Sequence, residues 1–169
     1  MPLVRFTGLF LIAIILTGCG FHLRGSFVLP KAISPLYIEI YGTEQGGRQL
    51  HINELTVLLE ANDVIVTSNR QDASAILVLG TEVLDKRTLS VDSNTGKERE
   101  RELAYTISYR LLASDGKELL PRQVVSLVRD YVFDEDVALS TSREEHILYQ
   151  EMRQEAAQQI LRRLAAWSP

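Results

Sequence analysis

One cysteine and three histidines are the side chains of this chain best suited to nucleophilic or metal chemistry. The histidines are His22, His51 and His146, and none has a second histidine or a cysteine at the spacing that metal ligands require. The Gly-x-Ser-x-Gly, phosphate-loop and zinc-protease motifs are also absent from the sequence. The sequence therefore predicts no metal site, no cofactor and no catalytic residues, and a protein that is not an enzyme.

The sole cysteine, Cys19, directly follows the features of a secretory signal. Arg5 is the one charged residue before it, an apolar run extends over 9–16, and Thr17 and Gly18 are small. A membrane-spanning helix needs about 20 apolar residues, so this run is too short to cross a bilayer. Residues 1–18 are therefore predicted to be a signal peptide that is removed.

The order Leu16-Thr17-Gly18-Cys19 is similar to the bacterial lipobox, in which the cysteine becomes an acylated first residue. Diacylglycerol on the sulfur and a further N-acyl chain would anchor the protein stably, because one chain alone holds a protein only marginally. The alternative is a chance cysteine at the end of an ordinary signal peptide. A disulfide within one chain is excluded by the cysteine count. Gly20 follows where an aspartate would retain a lipoprotein at the inner membrane, so the outer membrane is predicted.

The composition of the mature chain indicates one acidic domain. Cleavage before Cys19 leaves 151 of 169 residues, enough for a single core. Loss of Arg5 leaves 17 basic side chains against 22 acidic ones, a net charge of −5 with histidine neutral. Such a chain is not expected to bind nucleic acid, or anionic lipid in a general way. The predicted organisation is a signal peptide over 1–18, a lipidated anchor and tether over 19–30, and one domain over 31–169.

Hydrophobic periodicity predicts two helices and four main strands. Apolar residues recur at helical spacing within 46–63 and again within 140–167, where Ser140 and Thr141 stand at the predicted helix start. Strands are predicted over 36–41, 75–91, 103–112 and 124–133, and 64–67 is compatible with a further short strand. We expect an α+β fold: a two-layer sandwich with two helices packed on one face of a four-stranded mixed, mostly antiparallel sheet, whose last three strands form a meander.

Basic residues cluster around the predicted hairpin tip, with glutamates between them; they are Lys86, Arg87, Lys97, Arg99 and Arg101. Two interpretations stay open. In one, cross-strand charge pairs make the hairpin soluble, each pair contributing about 0.2 to 1 kcal/mol. In the other, the cluster binds anionic groups, because charge-assisted hydrogen bonds to phosphate are about twice as strong as neutral ones.

The segment after the predicted lipid site is richer in composition than a flexible tether and is predicted to dock on another surface. It consists of Phe21, His22, Leu23, Arg24 and Gly25. With the preceding residues it reads CGFHLRG, and the chain continues through Leu29-Pro30 to VALSTSREEHILYQEMRQEAAQQILRRL over 137–164. These stretches, at both ends of the mature chain, resemble the LptE family of lipopolysaccharide-assembly lipoproteins.

The resemblance implies a non-enzymatic lipoprotein that plugs a large outer-membrane β-barrel, LptD, with one copy per barrel. Such a protein helps the barrel to fold and supports delivery of lipopolysaccharide to the outer leaflet. Family members are thought to contact lipopolysaccharide through basic residues near the strand hairpin and before the last helix. The candidates for that contact in this sequence are Lys86, Arg87, Lys97, Arg99 and Arg143. Ser93 and Thr141 depart from the family pattern, because they stand where basic residues are expected.

Two other classes of protein remain open from the residues alone. A lipoprotein scaffold of another outer-membrane assembly machine, with no glycolipid contact, would have the same small α+β domain, because fold does not determine function. A lipid-tethered periplasmic enzyme would need a catalytic constellation that the sequence does not offer. The barrel that co-purifies with the protein distinguishes the first of these from the lipopolysaccharide-assembly interpretation.

Overall fold

The computed structural model describes residues 27–41, 49–134 and 138–168. Short 3-10 turns occupy Lys31–Ile33 and Arg70–Asp72. The longer elements, in chain order, are β1 (Leu36–Ile40), α1 (Gln49–Glu60), β2 (Val66–Thr67), β3 (Ala75–Leu79), β4 (Val83–Val91), β5 (Glu98–Ala113), β6 (Glu118–Val132) and α2 (Ala138–Ala166). The predicted α+β class is confirmed.

The sheet has six strands in the described ranges, so the predicted number of four was too low. Val66–Thr67 pairs in parallel with the start of β1 and adds an edge strand. The long strand predicted over 75–91 is two strands, because Thr81 and Glu82 together oppose the single residue Ile107. This extra residue interrupts the pairing with β5, as a β-bulge does.

Strand β5 is the centre of the sheet. One edge of β5 pairs with β3 along residues 109–113 and with β4 along residues 98–106. The other edge pairs with β6 along most of its length. The broad part of the sheet therefore has the order β2-β1-β3-β5-β6, with β1 parallel to both β2 and β3. The narrow part contains only β4, β5 and β6, and is called the hairpin extension below. Its consecutive antiparallel strands confirm the predicted meander.

The regular alternation predicted for β5 decides which face carries the helices. Its residues at odd positions from 103 to 111 are buried, while those between them are half-buried or exposed. Helix α1 adds Leu55 and Leu59 to this core, and α2 adds Met152 and Leu164. Each such side chain contributes roughly 1.5 to 3 kcal/mol when fully buried. Both helices therefore lie on the same face, as the sequence predicted.

Helix α2 begins earlier than its sequence signal. The predicted start was at Ser140 or Thr141, whereas the helix begins at Ala138. The Thr141 hydroxyl donates a hydrogen bond to the Asp134 carbonyl oxygen, 3.3 Å away, and so ties the helix to the end of the preceding segment. With 29 residues the helix is about 43 Å long, and it contacts Lys86 near its start and Leu119 near its end.

The two ends of the molecule carry different parts of the chain. At the proximal end, the described chain starts at Phe27, and Leu29, assigned above to the tether, is buried in the core. At the distal end lie the turn between β4 and β5 and the connection from β6 to α2, since the Phe133 amide donates to the Arg99 carbonyl oxygen. The 16 residues of β5 separate these ends by about 50 Å. Neither described helix is long and apolar enough to span a bilayer.

Candidate functional site

The described residues include the predicted contact residues but not the predicted anchor. Cys19 and the docking segment Phe21 to Gly25 lie outside the described ranges. The basic candidates of the hairpin extension and of α2 all lie within them.

Lys86 joins the hairpin extension to the last helix. Its ammonium group forms an ion pair with Glu145 of α2 and lies 5.9 Å from the centre of the Tyr149 ring. The Tyr131 hydroxyl donates to the same Glu145 carboxylate at 3.2 Å. Burial, and secondarily the Glu145 charge, raises the pKa of Tyr149 to about 12. The two regions that the resemblance singled out are thus in contact, although they are far apart in the chain.

Arg87 points to the opposite face of the sheet, because consecutive strand residues alternate. Its Nε lies 2.6 Å from the Glu102 carboxylate, and this hydrogen bond raises the pKa of the guanidinium. The side chain remains 68% exposed. Lys86 and Arg87 therefore cannot act on the same ligand group, despite being neighbours in sequence.

Asp92 organises the distal turn and holds Arg99. Its carboxylate accepts hydrogen bonds from the Arg99 guanidinium and from the amides of Asn94 and Thr95. These bonds, with that from Arg99 the largest cause, lower the pKa of Asp92 below its usual range. Gly96 completes the turn with a φ of 70°, a conformation that glycine adopts without cost.

Arg101 is held on the helix-facing side by charge and by an aromatic ring. Its Nε donates to Glu98 at 2.6 Å, and its guanidinium carbon lies 3.4 Å from the centre of the Phe133 ring. Stacking of this kind adds about 0.5 to 2 kcal/mol, depending on exposure. Arg101 is therefore a structural residue of the extension.

A shallow cavity of about 320 Å³ brings two of the candidates together at the distal end. Lys97 and Arg99 line it together with apolar Val132 and Phe133, and the acidic residues Glu98 and Asp134 also belong to the lining. The ion pair of Arg99 with Asp92 leaves the arginine 66% exposed. Exposed pairs contribute only about 0 to 1 kcal/mol, so an incoming phosphate can compete for this guanidinium. The cavity, which we call the distal cavity, can bind an anionic group that has apolar atoms beside it.

Arg143 stands apart from this cavity within α2. It is exposed and lies two residues before Glu145, which places it on the other side of the helix from the hairpin contact.

The hairpin extension carries five basic and five acidic side chains over 85–102, so the net charge of this segment is zero. Any attraction for an anion therefore depends on the local arrangement and not on a general positive field.

The aromatic residues that lie beside the basic side chains were not predicted from the sequence. Tyr131, Phe133 and Tyr149 surround the basic side chains, and their positions follow from the pairing of β6 and the rotation of α2. The spacing of Glu145 and Tyr149, one helical turn apart, is the signal that could have placed them on one face. Among the described residues no group of histidine, cysteine and carboxylate side chains is arranged to hold a metal ion.

Comparison with known proteins gives a consistent set of similarities. A family model described as LptE, Lipopolysaccharide-assembly, matches residues 43–164. The LPS-assembly lipoprotein LptE of Pectobacterium atrosepticum is 30% identical, with 91% of this chain and 80% of that protein covered. The solution structure of lipoprotein B from Nitrosomonas europaea is 31% identical, covers 87% of this chain and 91% of its own, and has a TM-score of 0.69. The crystal structure of rare lipoprotein B from Shewanella oneidensis is 30% identical, covers 78% and 93%, and has a TM-score of 0.63.

Proposed function

The chain belongs to the LptE family of lipopolysaccharide-assembly proteins, and from this premise we propose that it is a lipoprotein of the outer membrane that supports delivery of lipopolysaccharide to the outer leaflet. The observation that carries the proposal is the extent of the family match. Residues 43–164 contain the whole hairpin extension and nearly all of α2, which are the elements that meet at the distal end.

The proposed anchor is a set of acyl chains on Cys19, exposed by removal of residues 1–18. Residues 19–30 then lead from the membrane to the domain over 31–169, with Leu29 already packed in the domain core. The described chain starts at the proximal end, so a lipid attached to Cys19 leaves the distal cavity remote from the anchor, with β5 spanning about 50 Å between them. The docking segment Phe21 to Gly25 lies between the lipid and the domain.

The proposed partner is one copy of an LptD-type barrel, whose folding the protein assists and whose lumen it occupies. A polar lumen suits the charged side chains that the described faces of this domain expose, such as those of Arg87 and Arg99. The role proposed is non-enzymatic and uses no cofactor.

The proposed contact with lipopolysaccharide is made by the basic candidates, with Lys97 and Arg99 at its centre. These two line one cavity beside apolar Val132 and Phe133, which suits the phosphates and acyl chains of lipid A. The carboxylates of Glu98 and Asp134 in the same lining oppose the anion, so the contact depends on the two basic side chains. Lys86, Arg87 and Arg143 would contribute from the surrounding surfaces, at points that a large glycolipid can reach.

The first experiment is a detergent pull-down of the tagged full-length protein from its own outer membrane. We expect the large lipopolysaccharide-assembly barrel in near-equal amount. Recovery of a different barrel machine would contradict the proposal and favour the scaffold interpretation. The Cys19→Ala variant is the control for the contribution of the anchor.

The second experiment measures lipopolysaccharide binding by the purified complex. The double change Lys97→Gln and Arg99→Gln should weaken binding by about tenfold, because two charge-assisted contacts are lost. Arg162→Gln, an exposed arginine near the other end of α2, is the matched control and should have no effect. Equal affinity of the double variant and the control would remove the distal cavity from the binding site.

A further inference from the structure

A second groove lies on the sheet face opposite the helices, away from the distal cavity. Its volume is about 590 Å³, and it is open to solvent. Its floor comes from Val78, Gly80 and Ser108, and its rim carries Tyr41, Arg110 and Arg122. We call it the sheet groove.

The groove lies where the sheet is irregular on both sides of β5. On one side, the backbone of Gly80 approaches β5 so closely that a Cβ would overlap the Ser108 hydroxyl, and β4 starts only after the extra residue at 81–82. On the other side, Tyr109 pairs with Gln123 and Leu111 with Leu120. Pro121 and Arg122 therefore both oppose Arg110, which is a second bulge. Bulges redirect side chains and recur beside functional sites.

The second bulge brings two positive charges together. Arg110 and Arg122 are exposed, and within the described part of the chain neither has a carboxylate at ion-pair distance. The arginines of the hairpin extension, in contrast, are each paired with an acidic residue. Like charges on neighbouring strands destabilise a sheet, so Arg110 and Arg122 repel each other in the free protein. An anionic group bound between the two guanidinium groups would offset this repulsion.

The dimensions of the groove favour an extended segment over a single small anion. Its lining runs from Tyr41 beyond β1, across β3 and β5, to Glu118 and Arg122 on β6. Three strand spacings amount to about 14 Å, the length of about four extended residues. Tyr41, which is 70% exposed, and Val83 provide apolar contact beside the charges.

We propose that the sheet groove binds an extended acidic segment of a protein partner, with carboxylates on Arg110 and Arg122 and an apolar side chain against Tyr41. The Glu118 carboxylate on the rim and the negative charge of the whole chain oppose any anionic occupant, so binding depends on the local pair Arg110 and Arg122 and on the apolar contact with Tyr41. The inference does not depend on the lipopolysaccharide role, because it uses another face and other residues.

The test is fluorescence anisotropy of a labelled peptide, Glu-Val-Glu-Val-Glu-Val, with the full-length protein in neutral detergent. We expect saturable binding that weakens with salt. The double change Arg110→Gln and Arg122→Gln should weaken it by about tenfold, whereas Arg162→Gln should leave it unchanged. The Lys-Val-Lys-Val-Lys-Val peptide should not bind.

A second variant keeps the test decisive if the double change impairs folding. Glu118→Gln removes the rim carboxylate and should tighten binding of the acidic peptide by about twofold. No binding, equal binding of the lysine peptide, or insensitivity to both sets of changes would overturn the proposal. Displacement by inorganic phosphate much more readily than by acetate would also overturn it, in favour of a lipid or free phosphate.

Discussion

The basic side chains of the hairpin extension differ in what they contact, and this decides what each can do. Lys86 and Arg101 face the helix layer, where glutamates and aromatic rings hold them. Arg87 and Arg99 are paired but mostly exposed. Arg101 therefore stabilises the fold, and Lys86 is held by Glu145 while about half of its side chain stays exposed. Arg87 and Arg99 can most readily exchange their internal partner for a ligand.

The Asp92 carboxylate should make the distal turn sensitive to acid. Its pKa in the folded protein lies below the ordinary value of 3.8, mainly because Arg99 donates to it. The stabilisation is therefore complete above about pH 4 and is lost as the pH falls below it. NMR titration of the Thr95 and Gly96 amides should show no transition near pH 3.8, and Asp92→Asn should loosen the turn at neutral pH. A carboxyl titration at or above pH 4 would contradict the assigned contacts.

The Lys86–Glu145 pair should couple the extension to α2. Glu145 is mostly buried and also accepts from Tyr131, so the pair is better placed than a surface ion pair. In a double-mutant cycle of Lys86→Gln and Glu145→Gln, we expect a coupling free energy of about 0.5 to 1 kcal/mol in urea unfolding. The more exposed Arg87–Glu102 pair is the control, and a larger coupling there than at Lys86 would contradict this placement.

At the scale of elements, the interruption between β3 and β4 is the feature that shapes the sheet. It lets two strands share one edge of β5 and separates the broad part from the extension. The loop at the interruption is held from the helix side, where the Arg153 Nε donates to Glu82 at 3.0 Å. The break is therefore a fixed part of the fold.

Gly80→Ala should destabilise the protein by about 1 to 2 kcal/mol, because the added methyl group overlaps the Ser108 side chain. Combination with Ser108→Ala should recover much of this loss, while Ser108→Ala alone should change stability little. Thermal unfolding of the three variants measures the effect. A Gly80→Ala protein as stable as the parent would show that the Ser108 hydroxyl rotates away from the added methyl group at little cost.

At the scale of the whole molecule, one core extends under both parts of the sheet. Leu103 belongs to the narrow part and is fully buried in the same cluster as Leu29 and Leu164. Trp167, at the proximal end, donates from its indole nitrogen to the Leu119 carbonyl oxygen at 3.0 Å. It is the sole tryptophan of the chain, so its fluorescence reports on the end remote from Leu103.

Leu103→Ala should cost about 2 to 5 kcal/mol and shift the Trp167 unfolding transition in urea as much as the circular dichroism transition. This follows if the two parts of the sheet unfold together. Val124→Ala, at a site 56% exposed, is the control and should change stability by less than about 0.5 kcal/mol. A shift in circular dichroism without a shift in Trp167 fluorescence would mean that the extension unfolds separately.

Cys19→Ala should leave the domain folded but remove it from the membrane. Every residue of the described core lies at or after Leu29, so no core contact among them requires the sulfur. Fractionation should find the variant outside the outer membrane, with an unchanged far-ultraviolet circular dichroism spectrum. Loss of that spectrum would show that the anchor region is needed for folding.

Local patterns in the sequence determined the elements and their buried faces. The alternation over 103–111 predicted the strand, because burial on one face imposes a period of two on neighbouring residues. The apolar spacing over 140–164 predicted α2 for the corresponding reason. The family resemblance likewise rested on local motifs, CGFHLRG and the last helix.

Only the tertiary structure decided which distant residues meet. The contact between Lys86 and Glu145, the division of the basic cluster between two faces, and the neighbouring charges of Arg110 and Arg122 all depend on register. Single extra residues, at 81–82 and at 121–122, set that register, and no periodic pattern marks them. Periodicity reports the average environment along one element, whereas a site depends on how the elements are aligned with one another.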